Sequence, residues 1–212
     1  MKVIVFDLDD TLYKEIDFLK SAYREIVEAI GHPEAFDFML DCYFLGENAF
    51  QCVIDKYNLS STVEQLLVIY RNHKPSISLD PSTVATLDVL KASGAIMCLL
   101  TDGRSVTQRN KIEALGLARW FSPDDILISE EFGHSKPSME CYQYFLDRYP
   151  DTEFVVIGDN PAKDFITPNK LGWTTICLCS NGQNIHDQNL EVEKNYLPKH
   201  SINNLSEIKR FC

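Results

Sequence analysis

The sequence predicts an α/β protein in which a parallel β-sheet carries helices on both faces. Short apolar runs alternate along the chain with stretches of helical periodicity, which is typical of parallel strands joined by crossover helices. Several apolar runs end in acidic or hydroxyl side chains, the first of them at Asp7. Residues 14–78 break the alternation with consecutive helical patterns, and this stretch predicts an all-helical insertion.

Composition limits the class of protein. The chain has 212 residues, enough for one compact core and a smaller accessory domain. Its net charge of −11 argues against nucleic acid polymers and anionic membranes as partners. No apolar run reaches the roughly 18–20 residues that span a bilayer, and the N-terminal run is too short for a signal peptide. Seven cysteines without a Cys-x-x-Cys spacing predict a cytoplasmic protein without disulfides.

The strands of the predicted sheet are the apolar runs. In chain order they are Lys2–Phe6, Ile96–Leu100, Ile126–Ile128, Phe154–Ile157 and Thr174–Leu178.

The core helices are predicted from their start and stop signals. Asp80-Pro81 provides an N-cap and a proline at the first helical position. Ser105 and Gln108 have the spacing of a capping box, which opens a helix that stops at Gly116. Pro137 begins another helix, which runs to about Tyr149. Two shorter features are an interrupted helix around Pro168 and a last short helix over Leu205–Phe211.

The insertion is predicted to contain four helices. Apolar residues recur at helical spacing from Ile16 to Ile30, and the pattern breaks after it. Further helices are predicted around Ala35–Leu45, around Asn48–Tyr57 and from the Thr62 capping box to about Arg71.

The most informative motif follows the first strand directly. Asp7 and Asp9 lie two residues apart behind the apolar run, and Thr11 follows. Strand alternation places the two carboxylates on one side of an extended chain, at the edge of the sheet where α/β proteins bind ligands. Two like charges there are costly unless a cation or a proton relieves them. The motif therefore predicts a metal site or an acid/base site.

Other predicted strands and loops supply partners for this motif. The second strand ends in Thr101-Asp102-Gly103, and the fourth ends in Gly158-Asp159-Asn160 with Asp164 shortly after. A lysine, Lys136, precedes Pro137 at the threshold of a helix. Together and in this order, these motifs resemble the haloacid dehalogenase-like (HAD) hydrolase superfamily. The resemblance extends from Lys2 to about Cys179.

The resemblance implies an architecture and an activity. The fold would be a Rossmann-like catalytic core of residues 1–13 and 79–212, with residues 14–78 as an α-helical cap domain over the site. The implied activity is Mg²⁺-dependent hydrolysis of phosphate monoesters through an aspartyl-phosphate intermediate. Asp7 would be the nucleophile and Asp9 the general acid and then the general base. Asp7 and Asp159 would bind Mg²⁺ through their side chains, Asp9 through its backbone carbonyl and Asp164 through a water.

The same resemblance implies the groups that bind the phosphate. These are the Thr101 hydroxyl, the Lys136 ammonium and the backbone amides of Leu8, Asp102 and Gly103. They would meet the charge that spreads over the phosphate oxygens in the transition state.

The expected partner is a small phosphorylated metabolite, either a nucleotide or a sugar phosphate, because residues 101–117 resemble phosphatases that act on nucleotides and on acylneuraminate phosphates. Asp9 argues against the dehalogenases of the superfamily, which lack an acid at that position. Two alternatives remain open: a phosphomutase of the same superfamily and a non-catalytic metabolite-binding module. The sequence does not predict the oligomeric state.

Overall fold

A computed structural model describes residues 2–211 of the chain. Its centre is a six-stranded sheet with the order β3-β2-β1-β4-β5-β6, in which neighbouring strands are parallel. The strands are β1 (Lys2–Phe6), β2 (Ile96–Thr101), β3 (Ile126–Ile128), β4 (Glu153–Gly158), β5 (Thr174–Leu178) and β6 (His200–Ile202).

Helices cover the sheet and form the insertion. Those of the insertion are α1 (Glu15–Ala29), α2 (Phe36–Phe44), α3 (Ala49–Tyr57) and α4 (Val63–Asn72). Those beside the sheet are α5 (Pro81–Ala92), α6 (Ser105–Ala114), α7 (Ser129–Phe132), α8 (Met139–Arg148) and α9 (Ile166–Lys170). The α/β prediction and its helix–strand alternation are confirmed.

The two faces of the sheet have separate hydrophobic cores. Along β1, Ile4 and Phe6 join one buried cluster, which includes Leu87 of α5, whereas Val3 and Val5 join the other, which includes residues of α8. This alternation follows from the two-residue period of a strand. Burying each such side chain contributes about 1.5–3 kcal/mol. A strand that is buried on both faces reads as a continuous apolar run, which is why the sequence revealed it.

Helices α1–α4 pack around a hydrophobic cluster of their own. Its buried members come from each of the four helices and include Ile26, Met39, Val53 and Leu66. The capping box predicted at Thr62 is present, with the Gln65 side chain accepting from the Thr62 amide. The predicted limits of the insertion, residues 14–78, enclose these four helices.

Three details of the fold differ from the prediction. Strand β6 was missed because it is a short edge strand in which only Ile202 is buried. The predicted last helix is a 3₁₀ helix over Leu205–Arg210. The capping box predicted at Ser105 is wrong, because the Ser105 hydroxyl donates to Glu131 and the Gln108 side chain points elsewhere.

The helix that contains Pro168, α9, is only five residues long, as expected for an interrupted helix. Within residues 2–211, none of the helices has the length and apolar character needed to cross a membrane.

Candidate functional site

The site lies where three neighbouring strands end. Strand β1 is paired with β2 on one side and with β4 on the other, so Asp7, Thr101 and Asp159 meet at one edge of the sheet. A small cavity of about 100 Å³ opens there. It is lined by Asp7, Asp9, Asp10, Glu15, Thr101, Asp102, Asp159, Asn160, Lys163 and His186.

Lys136 reaches into this site from the loop before α8. Its Nζ lies 2.5 Å from Oδ1 of Asp7 and 2.8 Å from Oδ1 of Asp164, and its side chain is 3% exposed. Burial lowers the pKa of the lysine, but the Asp164 and Asp7 carboxylates outweigh it and hold the pKa well above its usual value. Lys136 is therefore a permanent cation beside Asp7.

The carboxyl groups of Asp7, Asp159 and Asp164 converge on a common point, with one oxygen of each lying within 4.8 Å of the others. Burial, followed by the charges of Asp7 and Asp164, raises the pKa of Asp159 to about 8. Burial also raises the pKa of Asp7 to about 6, although Lys136 opposes the shift. These carboxyl groups are crowded in a way that a bound cation would relieve.

The contacts of the carboxylate oxygens show whether Asp7, Asp159 and Asp164 fit a hard cation. Oδ1 of Asp164 is buried and pairs with the Lys136 ammonium at 2.8 Å. Its other oxygen accepts from the Asn160 amide at 2.8 Å. A Cβ on Gly158 would collide with this carboxyl group, so a glycine is needed there. Carboxylate oxygens that converge in this way suit a hard ion such as Mg²⁺.

Asp9 is held by a network that the sequence did not reveal. Its Oδ1 accepts from Lys111 Nζ at 2.7 Å and from the Tyr13 hydroxyl at 2.6 Å, and its Oδ2 accepts from Gln108 Nε2 at 2.9 Å. Burial raises the pKa of Asp9, but the Lys111 charge and these hydrogen bonds outweigh it and lower the pKa. In the free protein these contacts favour the carboxylate form of Asp9.

Lys111 links Asp9 to the start of α1. Its Nζ lies 3.5 Å from Oε1 of Glu15 and 4.4 Å above the Phe18 ring, and its side chain is 3% exposed. Burial and the Asp9 charge raise the pKa of Glu15 to about 7. Lys111 and Gln108 lie three residues apart on α6, so both reach the same place. That spacing was the signal available in the sequence.

The predicted phosphate-binding groups differ in whether they face the cavity beside Asp7. Thr101 Oγ1 lines the cavity and accepts from Gln108 Nε2 at 2.5 Å, which leaves its hydrogen free to donate. Asp102 lines the cavity, and its carboxylate accepts from the Lys136 amide at 3.0 Å. The Gly103 amide instead donates to the Ser129 hydroxyl at 2.9 Å, and Gly103 borders a different cavity. In this conformation it is not directed at Asp7.

Leu8, the fifth predicted phosphate-binding residue, is fully buried next to Asp7. Its backbone turns directly after the strand, because the amide of Leu12 donates to the Leu8 carbonyl at 3.0 Å. The turn includes Asp10 at φ +57°, a left-handed conformation that aspartate tolerates better than most residues.

A loop after β5, residues 180–188, closes over one side of the site. Asn184 Nδ2 donates to Oδ2 of Asp159 at 2.8 Å, and Lys14 Nζ donates to Asn184 Oδ1 at 2.8 Å. The Ile185 amide donates to the carboxylate of Asp10 at 2.9 Å. The loop therefore connects Asp159 to the segment that enters the helical insertion. Sequence reasoning missed these contacts because the loop has no motif.

A larger cavity of about 600 Å³ lies between this loop and the helical insertion. The insertion contributes Ile16, Lys20, Tyr43 and Phe44, and the loop contributes Gly182, Gln183, Asn184, Ile185 and Asp187. Asn184 lines this cavity and also contacts Asp159, so the cavity adjoins the carboxylates.

Comparisons with known proteins agree with this geometry. The family model of haloacid dehalogenase-like hydrolases matches residues 4–178. The chain is 30% identical to the glyceraldehyde 3-phosphate phosphatase of Methanocaldococcus jannaschii, with 98% of this chain and 95% of that protein covered. It is 24% identical to the phosphoglycolate phosphatase of Vibrio parahaemolyticus, with 84% and 83% covered.

Solved structures share the fold. The crystal structure of YfnB from Bacillus subtilis, which is bound to magnesium, aligns with a TM-score of 0.72 at 20% identity and covers 99% of this chain and 97% of that one. From the matched residues and the shared fold, we conclude that the chain belongs to the haloacid dehalogenase-like hydrolase family.

Proposed function

We propose that this protein is a Mg²⁺-dependent phosphatase that hydrolyses a small phosphorylated metabolite through an aspartyl-phosphate on Asp7. The observation that carries the proposal is the position of Asp7, which lies at the end of the central strand with the Lys136 ammonium on one oxygen and two further carboxyl groups beside it. The two relatives described above are named phosphatases of small phosphate esters, which supports the same reaction class.

Asp7 is the proposed nucleophile. One of its carboxylate oxygens would attack phosphorus, the bond from phosphorus to the ester oxygen would break, and the alcohol would leave. Lys136 holds Oδ1 at 2.5 Å, and the Thr11 hydroxyl donates to Oδ2 at 3.2 Å. These two contacts fix the plane of the carboxylate before the substrate arrives, so the attacking atom needs little reorientation.

Asp9 is the proposed acid and base. It would give a proton to the leaving alcohol and then take one from the water that hydrolyses the aspartyl-phosphate. Tyr13, Gln108 and Lys111 hold its side chain. In the free protein the pKa is raised at Asp7 and lowered at Asp9, so Asp9 would have to take up a proton beside the bound phosphate before it acts as the acid.

Several groups would bind the phosphate. Thr101 can donate its hydroxyl hydrogen, Lys136 contributes a buried positive charge, and the amides of Leu8 and Asp102 follow the ends of two adjacent strands. Gly103 could join them only after its amide releases Ser129. Loss of one such donor typically lowers the rate by about 10²–10³-fold.

Asp7 and Asp159 would hold the Mg²⁺ ion through their side chains, Asp9 through its backbone carbonyl, and Asp164 through a water. The bound ion would neutralise the phosphate oxygens and orient the ester. The fit rests on the convergent oxygens of the three carboxyl groups.

The helical insertion is proposed as a cap domain, residues 14–78, over a core of residues 1–13 and 79–212. The 600 Å³ cavity adjoins the carboxylates and is large enough for the alcohol part of a nucleotide or a sugar phosphate. Tyr43 and Phe44 give it an aromatic wall, and Lys20 gives it a positive charge.

The experiment is phosphate release from a panel of phosphate monoesters, with Mg²⁺ and with a chelator. Asp7→Asn should lose more than about 10³-fold in kcat because the nucleophile is gone. Asp147→Asn, on the exposed side of α8, should retain full activity.

The same panel in ¹⁸O-labelled water separates the alternatives. A phosphatase incorporates solvent oxygen into the released phosphate, whereas a phosphomutase releases little phosphate. If the folded protein with Mg²⁺ released no phosphate from any ester, a non-catalytic metabolite-binding role would replace the proposal.

A further inference from the structure

A second group of metal-ligating side chains lies in the helical insertion, away from the carboxylate site. Cys42 lies near the end of α2, Glu47 in the turn that follows, and Cys52 in the first half of α3. The two sulfur atoms and a Glu47 carboxylate oxygen lie within 4.8 Å of one another. Cys52 Sγ is 3.4 Å from Oε2 of Glu47.

Local backbone geometry brings the three residues together. The Glu47 amide donates to the Cys42 carbonyl at 2.9 Å and the Gly46 amide donates to the Tyr43 carbonyl at 3.0 Å, which is the pairing of a Schellman motif. Gly46 has φ +76°, as that motif requires. The chain therefore reverses directly after Cys42 and returns Glu47 beside it.

The second helix completes the arrangement. Asn48 caps α3 by accepting from the amides of Phe50 and Gln51. The Cys52 amide donates to the Asn48 carbonyl at 2.9 Å, so Cys52 stands one turn into α3. Four residues intervene between Glu47 and each cysteine, and this spacing closes a three-ligand cluster over one helical hairpin.

The cluster is partly accessible to solvent. Cys42 is buried, Cys52 is half-buried and Glu47 is exposed. Within residues 2–211, the polar side-chain contact of Glu47 is the Cys52 thiol. Desolvation, Cys42 and Glu47 raise the pKa of Cys52 to about 12. A metal ion bound by the two sulfur atoms would therefore have to displace the thiol protons.

We propose that Cys42, Glu47 and Cys52 bind one thiophilic divalent cation of the Zn²⁺ type. Tetrahedral Zn²⁺ with Zn–S bonds of about 2.3 Å separates its ligand atoms by roughly 3.8 Å. The cluster is near that size, because its ligand atoms lie within 4.8 Å of one another and Cys52 Sγ is 3.4 Å from Oε2 of Glu47. Three protein ligands leave the fourth position for a water.

The ligand chemistry separates this site from the carboxylate site. Thiolates select soft ions such as Zn²⁺, whereas an all-oxygen site suits Mg²⁺. Binding would release the protons of the two thiols to solvent. The ion would also fix the end of α2, which carries Tyr43 and Phe44 at the 600 Å³ cavity. This inference is independent of the proposed phosphatase activity.

The test uses the full-length protein, reduced with a phosphine and kept in excess Mg²⁺ so that the carboxylate site is occupied. Cd²⁺ is titrated, and thiolate-to-cadmium charge-transfer absorption is recorded. The wild-type protein should bind one equivalent of Cd²⁺ tightly. Cys52→Ser should abolish this binding, and Zn²⁺ should displace the bound Cd²⁺. Glu47→Gln should keep the absorption and bind Cd²⁺ at least tenfold more weakly.

Two controls keep the result interpretable. Cys179→Ser removes a half-buried cysteine outside the insertion and should still bind one equivalent of Cd²⁺ tightly. In a second measurement, Zn²⁺ should slow alkylation of Cys52, followed by peptide mass spectrometry, at least tenfold in the unmodified chain. A Cd²⁺ absorption that Cys52→Ser leaves unchanged, or a Cys52 alkylation rate that Zn²⁺ does not alter, overturns the site.

Discussion

Lys111 forms a buried ion pair with Asp9, with Nζ 2.7 Å from Oδ1. The two residues are 102 positions apart in the chain, and the pair joins the first loop of the site to helix α6. Because Asp9 is the proposed acid and base, Lys111 would influence the pH at which that residue carries a proton.

Replacing Lys111 by methionine should shift the pH dependence of kcat/KM. Lys111 is the main group that lowers the pKa of Asp9 against its burial, so its removal should raise that pKa. A neighbouring opposite charge typically lowers a carboxyl pKa by about 1–3 units. The first step needs protonated Asp9, so the pH at which kcat/KM falls on the alkaline side should rise by about 1–3 units. Initial rates over the pH range, with thermal unfolding as a folding check, measure it.

Lys111→Arg is the matched control because it keeps the charge, and its alkaline limb should stay near that of the wild type. Lys91→Met removes a lysine from the exposed side of α5 and should change neither limb. A wild-type profile in folded Lys111→Met would contradict the proposed link between Lys111 and Asp9.

Magnesium affinity should increase with pH. In the metal-free protein the pKa of Asp159 is raised to about 8, so below that pH the carboxyl group keeps a proton that Mg²⁺ must displace. For one displaced proton, the apparent Kd should tighten about tenfold per pH unit up to about pH 8. Isothermal titration calorimetry in buffers of different ionisation enthalpy measures both the affinity and the proton release.

Asp159→Asn serves as the comparison for that titration. It should bind Mg²⁺ more weakly and release less proton, because the group that holds the proton is absent. An affinity that is independent of pH in the wild type, without proton release, would be incompatible with Asp159 as a ligand that is protonated in the resting state.

Asn184 should contribute to magnesium binding without touching the ion. Its side-chain amide donates to Oδ2 of Asp159 and is itself held by Lys14, so it orients the carboxylate. Removal of a partner of a metal ligand typically costs about 10–100-fold in affinity. Asn184→Ala should therefore raise the Mg²⁺ concentration for half-maximal activity by that factor. Asn181→Ala, exposed in the same loop, should not change it.

Tyr43→Ala should change substrate binding more than the chemical step. Tyr43 lines the 600 Å³ cavity, whose walls would contact the alcohol part of the ester in the ground state and the transition state alike. Loss of uniform binding raises KM and leaves kcat unchanged. Steady-state kinetics on the best ester of the panel measures the two constants. A fall in kcat at constant KM would place Tyr43 in a different role.

The sequence was sufficient for the parts of the fold that depend on local pattern. Buried strands are continuous apolar runs, and β1, β3 and β5 have the predicted limits. Strand β6 could not be predicted, because His200 and Ser201 are exposed and the strand is defined by its pairing with β5.

The site residues likewise divide into those that a local sequence pattern predicts and those that depend on contacts distant in the chain. Asp7 and Asp159 directly follow strand ends, and their carboxyl groups converge with that of Asp164. The roles of Lys111 and Asn184 depend on contacts between segments far apart in the chain, which no short motif encodes. Gln108 illustrates the ambiguity: its spacing from Ser105 fits a helix cap, yet its side chain turns toward Asp9 and Thr101.

The central position of β1 has a consequence for the order of synthesis. β1 is made before both of its partners, because β2 begins at Ile96 and β4 at Glu153, so the strand that leads into Asp7 must wait for both. Helices α1–α4, whose buried cluster is complete at Leu66, leave the ribosome before either partner. A nascent chain that stops before Glu153 would have one edge of β1 unpaired, which favours aggregation. Catalytic competence and protection of that edge are therefore gained at the same stage of synthesis.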